Sequence, residues 1–229
     1  MWEPVPPGDT DNHSMGQVPV NMTSDNTEML RVFIALNVDA AARAKLGTAQ
    51  QALRSLPCRI GWVAPANLHL TLLFLGDILP ESLPAVKCAV DETAADIAAF
   101  AFQLKGLGCF GPSTRPRVIW AGTELGKEQA RALYERLALP LKAAGFFWDA
   151  REFAPHVTLG RVRSGQGAGR LLAALEEWRQ FDFGTSPADR LLLIQSRLLP
   201  QGPEYAVLHT ANLASVPKPD ERPGVQAGQ

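Results

Sequence analysis

The sequence has 229 residues, of which 46% are hydrophobic, so it is long enough to build one large domain or two lobes that share a core. Lysine and arginine total 22 against 23 acidic residues, and a net charge of -1 excludes a strong overall attraction to polyanions. No apolar run reaches the ~18 residues that cross a bilayer, and the start of the chain lacks the features of a secretory signal. We therefore expect a cytoplasmic protein that does not contact membranes.

The two ends of the chain differ in composition from the middle. Residues 1–28 consist mainly of Pro, Gly, Asp, Asn, Ser and Thr without a periodic apolar pattern. Such a segment cannot bury enough surface to offset the entropy of ordering, which predicts a disordered N-terminal extension. The Pro, Gly and charged residues of 214–229 likewise predict a disordered tail. A single folded domain is expected over 29–213.

Within this domain, strands and helices are predicted in uneven alternation. Runs rich in β-branched and aromatic residues predict strands at 30–36, 60–63, 67–77, 102–107, 117–122, 156–162, 181–184, 191–198 and 205–213. Apolar residues at helical spacing predict helices at 40–56, 80–99, 127–144 and 170–179. Asp39 is placed to cap the first helix, and Pro140 predicts a kink or an early end in the third.

Two of the predicted strands carry the same motif. It reads His69-Leu70-Thr71-Leu72 in the first strand and His156-Val157-Thr158-Leu159 in the second. Because successive side chains of a strand point to opposite faces, each His shares a face with its Thr, and the apolar residues share the other face. Only four histidines occur in the chain, so two such matches by chance are expected on the order of once in several thousand.

The repeated motif also predicts the architecture. The two copies are separated by 87 positions (156 - 69), too many for a solenoid repeat but suited to a duplicated lobe. We therefore predict an α+β fold with two pseudo-symmetric lobes of antiparallel sheet, helices on the outside and a central cleft. Two imidazoles and two hydroxyls facing that cleft would supply proton transfer and hydrogen bonds for chemistry on a phosphate.

These motifs resemble those of the two-histidine (2H) phosphoesterase superfamily, as does the first strand, Leu30-Arg31-Val32-Phe33-Ile34-Ala35. The stretches at 67–76, 116–122 and 151–161 are similar to the RNA 2′,3′-cyclic phosphodiesterase branch, first known as the 2′-5′ RNA ligase of bacteria and archaea. The resemblance covers roughly 29–213 and leaves both ends unexplained.

The resemblance implies hydrolysis of 2′,3′-cyclic phosphates at RNA ends to 2′-phosphates, without a metal or a cofactor, and in some relatives joining of RNA ends through a 2′-5′ linkage. It assigns proton donation to His69, proton acceptance to His156, and phosphate binding to Thr71 and Thr158. The sequence alone does not decide which histidine is the acid. The expected partners are RNA ends or small cyclic-phosphate nucleotides, bound by a monomer.

Four further residues are candidates for substrate binding. Arg161 and Arg117 would place positive charge near the phosphate, although arginines at strand ends are often solvated surface groups. Phe110 and Trp120 would stack on a base, although both also suit core packing. His13, in the N-terminal extension, is not expected to act in catalysis.

Two other functions are less consistent with the sequence. A metal hydrolase is disfavoured because the sequence lacks His-Glu-x-x-His, His-x-His and clustered carboxylates, and its three cysteines lack metal-ligand spacing. A non-catalytic protein that binds RNA ends or nucleotides is disfavoured because binding alone would favour arginine over a matched acid and base.

Overall fold

The computed structural model describes residues 28–148, 153–200 and 202–215. Nine strands are described: β1 (Leu30–Asn37), β2 (Ile60–Trp62), β3 (His69–Ile78), β4 (Phe100–Phe110), β5 (Val118–Thr123), β6 (His156–Val162), β7 (Asp182–Ala188), β8 (Arg190–Leu199) and β9 (Gly202–Asn212). The four described α-helices are α1 (Ala40–Leu53), α2 (Leu83–Asp96), α3 (Lys127–Ala143) and α4 (Ala168–Glu177).

All nine strands belong to one sheet, in which every pairing between them is antiparallel. The order is β7-β4-β5-β6-β3-β1-β8-β9, with β2 pairing β6 beside this path. One half therefore contains β3, β1, β8 and β9, and the other contains β6, β5, β4 and β7. The order strand, helix, antiparallel strand occurs in β1-α1-β3, with β2 inserted before β3, and again in β5-α3-β6. This arrangement confirms the predicted bilobal α+β fold.

The helices cover one face of the sheet. Alternate residues of the central strands enter a single hydrophobic cluster with the buried sides of all four helices; among them are Leu70 of β3 and Val157 of β6, both fully buried. Burying a side chain of this size contributes about 1.5–3 kcal/mol. The opposite face carries a much smaller cluster centred on Phe33, Ala35 and Ile194. The face without helices is thus free to form a site.

The helix ends differ from the predictions by up to three residues, since α1 ends at residue 53 instead of 56 and α2 covers 83–96 instead of 80–99. The Asp39 carboxylate accepts a hydrogen bond from the backbone N–H of Ala41 at 2.8 Å and so caps α1, as expected. Helix α3 does not end early, since it runs to Ala143. Pro140 lies in the last turn of α3, where its missing N–H removes only one helical hydrogen bond.

The last strands are longer than predicted. Strand β7 runs through Pro187, although a proline usually indicates the end of a strand. Because β7 pairs only with β4, it is an edge strand, and an edge strand tolerates a proline. The described fold also reaches past 213, since the Ala214 N–H bonds to the carbonyl of Ile97 at 2.9 Å. Residues 1–27 and 216–229 lie outside the described residues.

Within the described ranges, no helix combines the length and the apolar composition needed to cross a membrane.

Candidate active site

The two halves of the sheet meet where the two motifs meet. Strands β3 and β6 are joined by the antiparallel pair Leu70 and Val157, the second residue of each motif. This register places His69 opposite Thr158 and Thr71 opposite His156 on the face without helices. Residues on a diagonal of such a pair lie about 7–8 Å apart, a separation that lets two imidazoles flank one phosphate group. The structure therefore brings the four predicted site residues together.

The two histidines are held in the same way. Nδ1 of His69 lies 2.7 Å from the carbonyl oxygen of Asn67, and Nδ1 of His156 lies 2.7 Å from that of Ala154. A carbonyl oxygen only accepts, so each Nδ1 carries the hydrogen and donates it. Each neutral imidazole then has an unprotonated Nε2, the atom left to exchange protons with a ligand. The backbone two residues upstream fixes the tautomer in both motifs.

Both histidines have a lowered pKa. Burial is the main cause at His69; the hydrogen bond to Asn67 opposes it, and the nearby His156 imidazole adds to the lowering. Burial is also the main cause at His156, where the bond to Ala154 opposes it and the positive charge of Arg161 lowers the pKa further. His156 is thus close enough to His69 for its charge to lower the His69 pKa.

Aromatic rings enclose His69. The Phe33 ring stacks on the imidazole with centroids 4.7 Å apart, and the edge of the Tyr205 ring approaches it at 5.5 Å. Phe33 belongs to β1 and Tyr205 to β9, so both come from the same half of the sheet as His69. Neither residue was predicted from the sequence, because the face of each strand that meets the motif depends on pairings between distant segments.

Phe110 and Trp120, the two predicted stacking residues, lie on the side of the site near His156. The Phe110 ring meets the imidazole edge-on at 4.9 Å, and the Trp120 ring lies 5.4 Å from Phe110. Trp120 is paired with Thr158 in the sheet and extends over Gly108 of β4. A Cβ on Gly108 would lie 2.4 Å from the Trp120 ring, so only glycine lets the indole lie flat there.

A β-bulge follows the threonine of each motif. Ile119 pairs with Gly160 and Trp120 with Thr158, which leaves Leu159 as the extra residue of β6. The bulge shifts the alternation, so Arg161 instead of Gly160 shares the face of Thr158. Strand β3 has the same extra residue after Thr71, and Phe74 takes the position that corresponds to Arg161.

A buried amide stabilises the bulge in β6. The Gln50 side chain of α1 is 2% exposed, and its Nε2 donates to the carbonyls of Val63 at 2.8 Å and Leu159 at 2.9 Å. The Val63 N–H donates to the same Leu159 carbonyl at 2.9 Å. Gln50 thus links the helix layer to the strand segment that orients Arg161, a role without a motif in the sequence.

Arg161 supplies positive charge close to His156. Its charge lowers the pKa of both His156 and Tyr205, although burial raises the Tyr205 pKa overall. Arg161 is exposed and forms no ion pair within the described part of the chain. Arg117 is exposed immediately before β5 and lines the groove that also reaches His156.

A groove of about 860 Å³ opens from the Thr71 and His156 end of the centre. Aromatic side chains form much of its wall; they are Phe74, Phe110, Tyr134, Phe147, Trp148 and Phe153. Phe147 is 86% exposed, which is unusual for a side chain of this size. His156 therefore stands at one end of an apolar groove whose volume is large enough for a nucleoside.

Within the described residues, His209 and the three cysteines do not join this centre. His209 is bonded through Nε2 to the Asp91 carboxylate of α2 at 2.6 Å, and His13 lies outside the described residues. Cys58, Cys88 and Cys109 are free thiols. In the described ranges, no group of three or more His, Cys, Asp or Glu side chains is arranged to hold a metal ion.

Comparison with known proteins matches the chain to a family model for LigT-like phosphoesterases over residues 36–120 and 123–205. A protein named RNA 2′,3′-cyclic phosphodiesterase from Thermus thermophilus is 35% identical over 193 residues, which are 80% of this chain and 90% of that protein. Another of the same name, from Methanothermobacter thermautotrophicus, is 29% identical over 184 residues, covering 80% of this chain and 99% of the relative.

Solved structures show the same fold. A crystal structure of a protein from Thermus thermophilus has a TM-score of 0.69 at 30% identity and covers 81% of this chain and 99% of its own. The crystal structure of E. coli LigT complexed with 3′-AMP has a TM-score of 0.68 at 25% identity, covering 82% of this chain and all of that one.

Proposed function

The chain belongs to the LigT-like phosphoesterase family, and on that basis we propose that it hydrolyses RNA ends that carry a 2′,3′-cyclic phosphate to 2′-phosphomonoesters. The observation that carries the proposal is the matched pair of histidines, each with its Nδ1–H bonded to a backbone carbonyl and its Nε2 left free. The names of the relatives support the same activity.

In the proposed reaction, a water oxygen attacks phosphorus while Nε2 of His156 accepts a proton from it. The bond from phosphorus to the ribose 3′ oxygen breaks, and Nε2–H of His69 donates a proton to that oxygen. The phosphate remains on the 2′ oxygen. Each positioned proton transfer typically contributes about 10²- to 10⁴-fold to the rate. His69 must start protonated, which a bound phosphodiester anion favours.

The hydroxyls and the arginine would stabilise charge on the phosphate. Thr71 and Thr158 stand beside the two histidines in the sheet register and can each donate to a non-bridging oxygen. Arg161 shares their face because of the bulge after Thr158, and its charge already acts on His156. No step in this scheme requires a metal or an organic cofactor.

A base next to the cyclic phosphate would stack in the aromatic groove, where we place Phe110 and Trp120, with Arg117 at its wall. Joining of RNA ends through a 2′-5′ linkage would use the same two histidines with their roles exchanged. We propose that the enzyme acts as a cytoplasmic monomer.

Incubation with a short RNA that ends in 2′,3′-cyclic phosphate tests this function. We expect a 2′-phosphomonoester as the product, at the same rate with and without EDTA. A 3′-phosphate product would contradict the assigned geometry, and loss of activity with EDTA would favour a metal hydrolase. Tight binding without turnover would instead identify a protein that only binds RNA ends.

A further inference from the structure

A second surface, beyond the catalytic centre, carries concentrated positive charge. The segment 40–76 contains four basic residues, the segment 153–175 contains three, and neither contains a single Asp or Glu. The two segments meet where β2 pairs with β6. A chain with a net charge of -1 thus has one region in which positive charge is not neutralised.

Four exposed arginines define this region, which we call the arginine strip: Arg54, Arg59, Arg161 and Arg163. None of the four forms an ion pair with a carboxylate in the part of the chain that the structure describes. Other surface arginines differ in this respect, since Arg136 pairs with Asp96 and Arg179 with Glu176.

The sheet register aligns three of the four arginines with the catalytic face. Gly61 of β2 pairs with Arg161, and two residues further along the register the Arg163 N–H bonds to the Arg59 carbonyl at 2.7 Å. Directly opposed residues of an antiparallel pair share a face, so Arg59 and Arg163 lie on the same face as Arg161. Arg163 directly follows β6 and is two residues from Arg161, about 7 Å if the chain stays extended.

Glycine and tryptophan hold two of these side chains. A Cβ on Gly61 would lie 2.9 Å from Nε of Arg163, so the guanidinium rests directly over the backbone of β2. The Arg54 guanidinium lies over the Trp62 ring at 5.7 Å. Arg54, Arg59, Trp62 and Arg163 line a depression of about 390 Å³. Because Trp62 pairs with Gly160, its ring lies on the helix side of β2, and Arg54 adds positive charge around this edge of the sheet.

The strip and the aromatic groove approach each other at Arg161. The groove runs from Thr71 and His156 to Val118, the sheet partner of Arg161, and the strip continues from Arg161 to Arg163, the residue that follows β6. We propose that the arginine strip binds the sugar-phosphate backbone of an RNA strand whose cyclic phosphate lies between the histidines. This inference rests on the proposed function and adds that the preferred substrate is an oligonucleotide instead of a mononucleotide.

The test compares two substrates with one pair of substitutions. Wild-type protein and an Arg59→Gln/Arg163→Gln variant would be assayed with an RNA hexamer ending in 2′,3′-cyclic phosphate and with a 2′,3′-cyclic mononucleotide. We expect the ratio of kcat/KM for the hexamer to that for the mononucleotide to fall roughly tenfold in the variant. An Arg136→Gln/Arg179→Gln variant removes the same charge elsewhere and should keep the wild-type ratio.

Salt dependence provides a second measurement. Each phosphate contact on a single strand contributes about 0.7 to the slope of log affinity against log salt concentration. Loss of two contacts should therefore reduce the slope for the hexamer by roughly 1.4. An unchanged ratio and an unchanged slope would overturn the proposal.

A binding measurement tests the arginine strip independently of the proposed hydrolysis. Fluorescence anisotropy with a hexamer that ends in 3′-phosphate requires no turnover, so it reports on the strip even if the protein fails to hydrolyse cyclic phosphates. The Arg59→Gln/Arg163→Gln variant should bind this RNA more weakly than the control variant, and thermal unfolding by circular dichroism checks that both are folded. Equal binding by the two variants would contradict the strip irrespective of any activity.

Discussion

Leu70 and Val157 form the antiparallel pair that joins the two halves of the sheet, and each is the second residue of a His-x-Thr motif. Both side chains are fully buried among the helices, so the residues on either side of them must face the other way. The contact that closes the core therefore also places two imidazoles and two hydroxyls on the open face. Folding and site assembly depend on the same pair.

The threonine hydroxyls are predicted to act on the reaction rate. Thr71→Val and Thr158→Val each remove one donor to the phosphate and should lower kcat by about 10- to 10³-fold. Steady-state kinetics on a cyclic phosphate substrate measures this. Thr48→Val is the matched control, because the Thr48 hydroxyl bonds only to its own helix. A wild-type kcat in Thr71→Val or Thr158→Val would show that the hydroxyl removed in that variant does not stabilise the transition state.

The pH dependence follows from the lowered pKa of both histidines. The rising limb of kcat/KM reports deprotonation of the base, and the falling limb reports deprotonation of the acid. Because burial lowers both pKa values in the free protein, the bell-shaped maximum should lie below about pH 6.5, the ordinary histidine pKa. The two apparent values belong to the coupled pair.

Bound substrate should shift the pH profile of the rate to higher pH. A bound phosphodiester anion favours the protonated imidazole, so the maximum of kcat should lie at higher pH than the maximum of kcat/KM. His209→Gln serves as the control and should leave both profiles unchanged, since His209 pairs with Asp91. A rate that does not vary between about pH 5 and 8 would argue strongly against acid-base catalysis by imidazoles.

Arg161 is predicted to lower the pKa of His156 and to have little effect on that of His69. Its positive charge lowers the pKa of His156, so Arg161→Gln should raise that pKa toward the ordinary value. The His69 pKa, which depends on burial, Asn67 and His156, should change little. NMR titration of the two imidazole Cε1–H resonances separates the effects. An unchanged His156 pKa in this variant would mean that the Arg161 guanidinium does not face the site.

Gly108 is predicted to be required for the position of Trp120. In Gly108→Ala the new methyl would lie 2.4 Å from the indole, so the ring must shift, at a cost of about 1–3 kcal/mol in the free energy of unfolding. Gly165→Ala is the control, because its Cβ would come no closer than 3.6 Å to Thr114. Urea unfolding compares the two, and equal stabilities would contradict this packing of the indole on β4.

Much of the fold and the centre of the site could be predicted from the sequence. Period-two alternation alone puts His69 with Thr71 and His156 with Thr158, and the repeat implies two similar halves. Local patterns suffice here because strand faces and helix stripes are set within a few residues.

The rest of the site depends on long-range pairing. Phe33 and Tyr205 reach His69 from strands that contact its surroundings only in the assembled sheet. Strict alternation would direct Arg161 toward the core, and the bulge that reverses it is set by pairing with β5. Gln50 stabilises that bulge across 109 positions of sequence. No local pattern reports such contacts.

In the proposed mechanism, His69 and His156 act together as acid and base. The direct measurement is kcat of the His69→Gln variant, the His156→Gln variant and the double variant on RNA 2′,3′-cyclic phosphate, with circular dichroism confirming the fold. Each single substitution should lower kcat by at least about 10²-fold, and the double variant should be little slower than the slower single one, as expected for groups that act as a unit. Turnover near the wild-type rate in either single variant would contradict the account.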